Sequence, residues 1–124
     1  MANPNITAVT AIYGTTTYYT PSGTAAVVLL PNAAASGLVF KINQIVAANV
    51  NGSSAVNATV AINNLAAGAG TNFPVISTLS VPASASVIAV DKTTAIYLME
   101  NSSIVVTSGT ANGITYSISY ESIA

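Results

Sequence analysis

Short runs of alternating apolar and polar residues, separated by turn-forming residues, are the feature that most constrains the fold of this chain. The clearest example is ITYSISYE (residues 114–121), in which Ile and Tyr alternate with Thr, Ser and Glu. A period of two places successive side chains on opposite faces of a strand, so that one face is buried and the other is solvated. Ala is plentiful, but it stands among Val, Ile, Thr and Ser, and most of these residue types favour strands. The sequence therefore predicts strands and no helices.

Such segments recur at a spacing of about ten residues, which is typical of a β-sandwich or barrel. The strand candidates are residues 5–13 (a first strand or an extended arm), 14–20, 25–30, 38–50, 56–65, 73–81, 84–90, 94–99, 103–107 and 113–123. We expect an all-β fold, an antiparallel β-sandwich of jelly-roll type with eight or nine short strands. A Greek-key, immunoglobulin-like sandwich without a disulfide is the alternative. Residues 1–22 form the arm or first strand and residues 23–124 the sandwich, within one unit.

Five local features carry more specific predictions. The continuous apolar run at residues 25–30 predicts a strand buried on both faces. A slip in the alternation at Ile45 indicates a β-bulge or a bend between sheets. Asn51-Gly52 is a strong type I′ hairpin signal, and Asn112-Gly113 predicts a second turn. The Gly- and Ala-rich stretch at residues 66–72 is expected to be a mobile loop.

Charge is scarce, because the chain has two Lys and three acidic residues among 124 residues, or 4% against a usual value of about 25%. Two basic residues cannot neutralise a run of phosphates, so nucleic-acid binding is excluded. So little charge also gives weak protection against association. We therefore expect partner subunits to cover much of a neutral Ser-, Thr- and Asn-rich surface. A secreted or surface protein with a hydroxyl-rich exterior is the alternative.

Neither a membrane segment nor a standard export signal is expected. The N-terminal residues MANPNITAVT contain no basic segment followed by an apolar one, as a secretory signal would. The longest apolar run, residues 25–31, is far shorter than the ~20 residues that a membrane helix needs. We therefore expect a soluble chain with no membrane partner.

The residues needed for common catalytic chemistry are missing. The chain contains no Cys and no His, so it has no thiolate nucleophile and lacks the commonest general base. Asp91 and Glu100 are predicted to be solvated turn residues, and no base or metal ligand accompanies Glu121. A structural calcium site would need only oxygen ligands, but the usual Asp- and Gly-containing loop is absent. We expect no enzyme activity, no cofactor and no metal.

The densest aromatic cluster lies close to the N-terminus and follows an apolar segment. Tyr is enriched at interfaces because its ring is buried while its hydroxyl forms a hydrogen bond. The predicted subunit or partner contacts are Ile6, Val9, Ile12, Tyr13, Tyr18 and Tyr19. An ordinary role remains open, in which these tyrosines only cover the edge of the sandwich.

Four stretches of the sequence carry a resemblance to a known group of proteins. They are MANPNITAVTAIYG (residues 1–14), FKINQIVAANVNG (40–52), TLSVPASASVIAVDKTTAIYLMENSSIVV (78–106) and ISYESI (118–123). Together they resemble small virion structural proteins of tailed phages, especially phages of cyanobacteria. The resemblance implies a β-sandwich that decorates or cements the capsid, or that lies on the neck or tail, and it brings no catalytic residues.

The function expected from this resemblance is that of a capsid decoration protein. It would form a homo-oligomer, with a trimer favoured, and would bind the major capsid protein or another virion protein. Its location would be the virion, with the capsid surface favoured, after synthesis in the host cytoplasm. The alternative is a receptor- or carbohydrate-binding module of a tail or neck appendage, for which exposed tyrosines gathered in one concave loop patch would be the sign.

Overall fold

Nine β-strands and one short 3₁₀ turn make up the computed structural model, which describes residues 4–124. The strands are β1 Ile12–Tyr19, β2 Val27–Asn32, β3 Val39–Asn49, β4 Val56–Asn63, β5 Asn72–Val81, β6 Ser86–Val90, β7 Ile96–Leu98, β8 Ser102–Ser108 and β9 Ile114–Ile123. The 3₁₀ turn, Lys92–Thr94, lies between β6 and β7. No helix within residues 4–124 is long and apolar enough to cross a membrane.

The strands form two antiparallel sheets with the strand order of a jelly roll. Sheet A has the order β1-β9-β3-β6, with β7 also paired to β3, and sheet B has the order β2-β8-β4-β5. A jelly roll is one long antiparallel hairpin rolled into two sheets, in which early strands pair with late ones. This chain shows that pattern in the pairs β1–β9, β2–β8, β3–β6 and β4–β5. The predicted all-β, jelly-roll-like sandwich is therefore confirmed, and the immunoglobulin-like alternative is not adopted.

The core lies between the inward faces of the two sheets, as the alternation in the sequence predicts. Sheet A contributes Ile42, Ile45 and Ile118, and sheet B contributes Val60 and Ile104, all with no exposed surface. Burial of each such aliphatic side chain contributes about 1.5–3 kcal/mol relative to exposure. The polar residues that alternate with them form the outer faces.

The prediction that residues 25–30 form a strand buried on both faces is wrong. Strand β2 is the edge of sheet B and pairs only with β8. A β-bulge between Val28 and Leu30 shifts the register, so that Leu29 and Leu30 are buried in succession. The strand continues through Pro31, because an edge strand tolerates a residue that has no N–H to donate.

The β-bulge predicted in the longest strand is confirmed. The register of β3 shifts between Ile42 and Gln44 against β9, and again between Ile45 and Val46 against β6. Asn43 is the extra residue on the β9 side. The bulge keeps the inward face apolar on both sides of the irregularity, which is why the alternation in the sequence changes phase there.

The hairpin predicted at Asn51-Gly52 is wrong, because β3 lies in sheet A and β4 in sheet B. The connection therefore crosses between the sheets. The side-chain carbonyl of Asn51 accepts hydrogen bonds from the backbone N–H groups of Ser53 and Ser54 at 2.9 and 3.2 Å, which forms the turn. The second turn is present at the β8–β9 crossing, where Asn112 adopts a φ of 56°.

The predicted first strand at residues 5–13 begins only at Ile12, so the N-terminal segment is not an extended arm. The side-chain carbonyl of Asn5 accepts a hydrogen bond from the Thr7 N–H at 3.0 Å, which stabilises a turn in place of extended backbone. The segment then joins the end of β9, because the Thr10 N–H donates to the Ala124 carbonyl at 2.8 Å. The first three residues of the predicted 1–22 segment lie outside the described residues.

Candidate functional site

Three of the four outer edges of the sandwich are protected against pairing with another chain. An exposed edge presents unpaired N–H and C=O groups, and proteins blunt it with bulges, Pro or short strands. Strand β2 has its bulge and Pro31. Strand β5 has Pro74, two register shifts, and Thr78 in the left-handed backbone region with a φ of 48°. At the far side of sheet A, β6 and β7 have only five and three residues.

The fourth edge, strand β1, has none of these features. Its eight residues pair with β9 in unbroken register, from Ile12 opposite Ile123 to Tyr19 opposite Tyr116. The strand sequence, IYGTTTYY, contains no Pro and no charged residue. Within residues 4–124, β1 is therefore the one edge strand that carries no protecting device.

The six predicted contact residues lie on β1 or on the segment that precedes it. Val9 is half-buried. The exposed fractions of the others are 51% for Ile6, 52% for Ile12, 68% for Tyr13, 75% for Tyr18 and 44% for Tyr19. Five large apolar or aromatic side chains thus remain accessible within fourteen residues of chain. An accessible apolar concentration of this kind marks an interaction surface more often than isolated exposed residues do.

The two faces of β1 divide these side chains. Residues opposite one another in an antiparallel pair share a face, and Tyr19 lies opposite Tyr116, which points into the core. Tyr19 and Tyr13 therefore lie on the inward face, and Ile12 and Tyr18 lie on the outward face. Tyr13 is largely exposed despite its inward position, so the sandwich is open along this edge.

The outer face of sheet A carries most of the charge in the chain. Lys41 and Glu121 are cross-strand neighbours on β3 and β9, and the Asn43 side-chain amide donates to the Glu121 carboxylate at 3.3 Å. A shallow groove of about 290 Å³ lies there, and Asp91 and Lys92 line an adjoining one of about 270 Å³. Four of the five charged residues thus lie on or beside one otherwise neutral face.

Asp91 has a structural role in the 3₁₀ turn. Its carboxylate accepts hydrogen bonds from the Thr93 hydroxyl and from the N–H groups of Thr93 and Thr94, and the Thr94 hydroxyl accepts from the Asp91 N–H. The side-chain hydrogen bond from Thr93 is the main cause that lowers the pKa of Asp91 below its ordinary value. Asp91 is exposed, as predicted, but the prediction of a solvated Glu100 is wrong, since both its carboxylate oxygens are buried.

The two tyrosines on β9 belong to the interior of the sandwich. Tyr116 is fully buried; its hydroxyl donates to the Thr107 carbonyl and accepts from the Thr59 N–H at 3.2 Å, joining sheet A to sheet B. Burial raises the pKa of Tyr116 to about 12. Tyr120 packs against Phe40 with ring centroids 5.1 Å apart. The exposed tyrosines on β1 therefore have a different environment from those on β9.

Three buried asparagines, which sequence reasoning missed, fix the connections that follow their strands. Asn32, Asn49 and Asn63 are the last residues of β2, β3 and β4, and each is at most 3% exposed. The Asn32 amide donates to the carbonyls of Leu38 and Leu98, both at 3.0 Å. A buried amide forms such bonds because an unpaired one would cost about 1–3 kcal/mol. The available signal was the recurrence of Asn after an apolar run, in LLPN, VAAN and VAIN.

Asn63 forms hydrogen bonds across the β4–β5 loop at the end of its strand, which the Gly- and Ala-rich sequence of the loop does not indicate. Its amide donates to the Gly68 carbonyl and the Asn72 side chain at 3.1 and 2.6 Å. Its carbonyl accepts from the N–H groups of Leu65 and Gly70 at 2.9 and 3.0 Å. One side chain thus forms four hydrogen bonds, two donated and two accepted, which use the full capacity of an amide.

Two of the acidic side chains at these surfaces form hydrogen bonds within the chain. Within the part of the chain that the structure describes, no three His, Cys, Asp or Glu residues come together to hold a metal ion. The Asp91 carboxylate caps a turn, and the Glu121 carboxylate accepts a hydrogen bond from Asn43. The accessible groups are the backbone edge of β1 and its apolar, hydroxyl-bearing side chains.

Comparisons with known proteins add no family to this description. No protein-family model matches the chain, and no curated protein matches it.

Proposed function

We propose that this chain is a non-enzymatic virion structural protein, a capsid decoration protein that binds the coat lattice as a homo-oligomer. The observation that carries the proposal is the unprotected β1 edge with its accessible Ile and Tyr side chains. A chain that remained a monomer would gain from a charge or a Pro on this strand, as the other edges gain from theirs. The absence of both a charge and a Pro from β1 supports the proposal that a partner covers this strand.

The charge distribution supports the same proposal. A decoration protein is packed on a particle in many copies, and a net charge of −1 keeps mutual repulsion between copies small. Four of the five charged residues lie on or beside the outer face of sheet A, which leaves other surfaces neutral for contact with coat subunits. The proposed partners are other copies of the chain and the major capsid protein or another virion protein, with neither nucleic acid nor membrane involved.

The glycan-binding alternative has less support. Sugar sites usually combine aromatic platforms with polar groups in one cleft. The groove on sheet A contains Asn43, Ser119 and Glu121, and the tyrosine that lines it is Tyr120, whose ring packs against Phe40. None of the exposed tyrosines lines it; these are Tyr13, Tyr18, Tyr19 and Tyr97. Binding to a glycan array by the purified chain would favour this alternative over the decoration protein.

Two measurements on the purified chain test the proposal. Light scattering coupled to size-exclusion chromatography should give a mass above the 12.3 kDa of a monomer. Co-sedimentation with purified heads of cyanobacterial tailed phages should recover the chain in the particle fraction, at a saturable number of copies per head. Electron cryomicroscopy of those particles would then locate it. A well-behaved monomer that never associates with phage heads would overturn the proposal.

A further inference from the structure

We propose that two copies of this chain join through their β1 strands, which pair in antiparallel fashion about a two-fold axis at Thr16. The contact extends sheet A from one copy into the other. The inference rests on the homo-oligomer of the proposed function and names its contact. It gives a dimer, whereas the resemblance to phage proteins favours a trimer.

The hydrogen-bonding groups of β1 are arranged for such pairing. The Ala124 N–H donates to the Ala11 carbonyl at 3.0 Å, and the register that follows is unbroken. In an antiparallel pair, every second residue forms hydrogen bonds with the neighbouring strand. Because Ala11 is such a residue, the odd-numbered residues of β1 are the ones that form hydrogen bonds with β9. The N–H and C=O groups of Ile12, Gly14, Thr16 and Tyr18 then point away from β9, towards the free edge. Pairing therefore gives these groups partners without breaking any bond to β9.

The sequence of β1 is nearly symmetric about Thr16, which favours one register. In YGTTTYY (residues 13–19), Tyr13 corresponds to Tyr19, Gly14 to Tyr18, and Thr15 to Thr17. These pairs keep inward residues opposite inward ones and outward residues opposite outward ones, as an antiparallel sheet requires. Two Tyr–Tyr pairs then form on the inward face, and aromatic pairs of this kind stabilise neighbouring strands.

On the outward face, the same register places Tyr18 of each copy across from Gly14 of the other. No atom lies within 4 Å of the position that a Cβ of Gly14 would take. The ring can therefore lie over the glycine, an arrangement that stabilises glycines on edge strands. A register with Thr15 on the axis would instead place Tyr19 opposite Ala11, beyond the end of β1, and would lose both Tyr–Tyr pairs.

A second copy is the occupant that the edges of this chain favour. Pairing β1 with a different edge of another copy would meet Pro31 on β2, Pro74 and the register shifts on β5, or the five- and three-residue strands β6 and β7. Among the edge strands within residues 4–124, only β1 of the other copy offers eight uninterrupted residues. An isologous contact also closes on itself, so it leaves no free β1 edge for further growth.

Single cysteines provide a direct test, because the chain has none of its own. In the proposed register Thr16 lies opposite Thr16, in a hydrogen-bonded pair with Cα atoms about 5.5 Å apart, which is within the range of a disulfide. Thr16→Cys should form a covalent dimer under mild oxidation. Thr15→Cys is the matched control and should remain uncrosslinked, since position 15 of each copy lies opposite Thr17 of the other. Crosslinking of Thr15→Cys but not Thr16→Cys would overturn the register.

A charge on the same edge tests the pairing itself. Thr16→Lys should halve the mass measured by light scattering, because Lys on an edge strand opposes pairing. Thr71→Lys, at an exposed loop position, should leave the mass unchanged, and circular dichroism should show that both variants are folded. A wild-type monomer, a trimer, or an oligomer that Thr16→Lys leaves intact would overturn the inference. If an oligomer that Thr16→Lys leaves intact still binds phage heads, the proposed function stands and only the β1 contact is overturned. If the wild type is a dimer that Thr16→Lys dissociates but that never binds heads, the β1 contact stands and only the proposed function is overturned.

Discussion

Asn63→Ala is predicted to be the most destabilising single change at a polar residue in this sandwich. The substitution removes four hydrogen bonds, two donated to Gly68 and Asn72 and two accepted from Leu65 and Gly70. Each net hydrogen bond contributes about 1 kcal/mol, and buried groups left without a partner cost more. The expected loss in the free energy of unfolding is therefore about 3–5 kcal/mol. That is a large share of the roughly 5–15 kcal/mol typical of a domain.

The measurement is urea unfolding of the wild type and of Asn63→Ala. Far-ultraviolet circular dichroism monitors the unfolding, because the chain has no Trp. Asn64→Ala is the matched control, because this exposed neighbour accepts one hydrogen bond, from the Thr71 N–H at 2.8 Å. The control should lose no more than about 1 kcal/mol. Proteolysis should also cut the β4–β5 loop faster in Asn63→Ala. Equal stabilities of the two variants would refute the role assigned to Asn63.

Three further predictions concern titration and backbone conformation. The folded state keeps Tyr116 protonated up to a pKa of about 12. Its contribution to the free energy of unfolding is therefore full below the ordinary pKa of about 10 and is lost as the pH rises through 12, a total loss of about 2–3 kcal/mol. Urea unfolding at pH 8 and at about pH 11.5 should show most of this loss, and Tyr116→Phe should abolish it. Gly68→Ala should lower the free energy of unfolding by about 1–3 kcal/mol, because the φ of Gly68 is +75° and a Cβ would lie 2.7 Å from a methyl group of Val28 on β2. Gly23→Ala is the control and should leave the stability unchanged, because a Cβ there would lie in open space. Thermal unfolding measures both. Thr93→Val should raise the pKa of Asp91 measured by carboxyl NMR, and an unchanged value would contradict the assigned cause.

The sequence was sufficient for the elements that depend on side-chain alternation. Strands β3, β4, β5, β8 and β9 begin and end within about two residues of their predicted bounds. A period of two is a direct consequence of strand geometry and needs no tertiary information. The bulge near Ile45 was visible for the same reason, since it changes the phase of that period.

Predictions that depended on which sheet a strand joins were less successful. The Asn51-Gly52 signal describes a tight turn, but it does not say whether the next strand pairs with the previous one. In a jelly roll most consecutive strands lie in opposite sheets, so the same turn residues make a crossing. The apolar run at residues 25–30 does not form a doubly buried strand for a related reason, because a bulge can bury two successive leucines on an edge strand.

The residues proposed as contacts could be chosen from the sequence, but the reason that their strand is exposed could not. The tyrosines near the N-terminus stood out by composition, and four of the six predicted contact residues do lie on β1. Their significance depends on β1 being the edge without a bulge, a Pro or a charge, and that comparison requires the strand order. The asparagines that end β2, β3 and β4 were missed because their burial follows from the loops that fold back over them.

Scarcity of charge explains why the edges of this protein are protected as they are. A chain with two Lys cannot place one on every exposed edge, although Lys is a common means of keeping edges apart. Strands β2 and β5 instead rely on Pro and on irregular register, which need no charge. Both means were available to β1, since Pro31 shows that an edge of this sandwich accepts one. Because β1 has neither, its open edge is better explained by a partner strand than by a general lack of protection, and the near symmetry of its sequence favours a second copy as that partner.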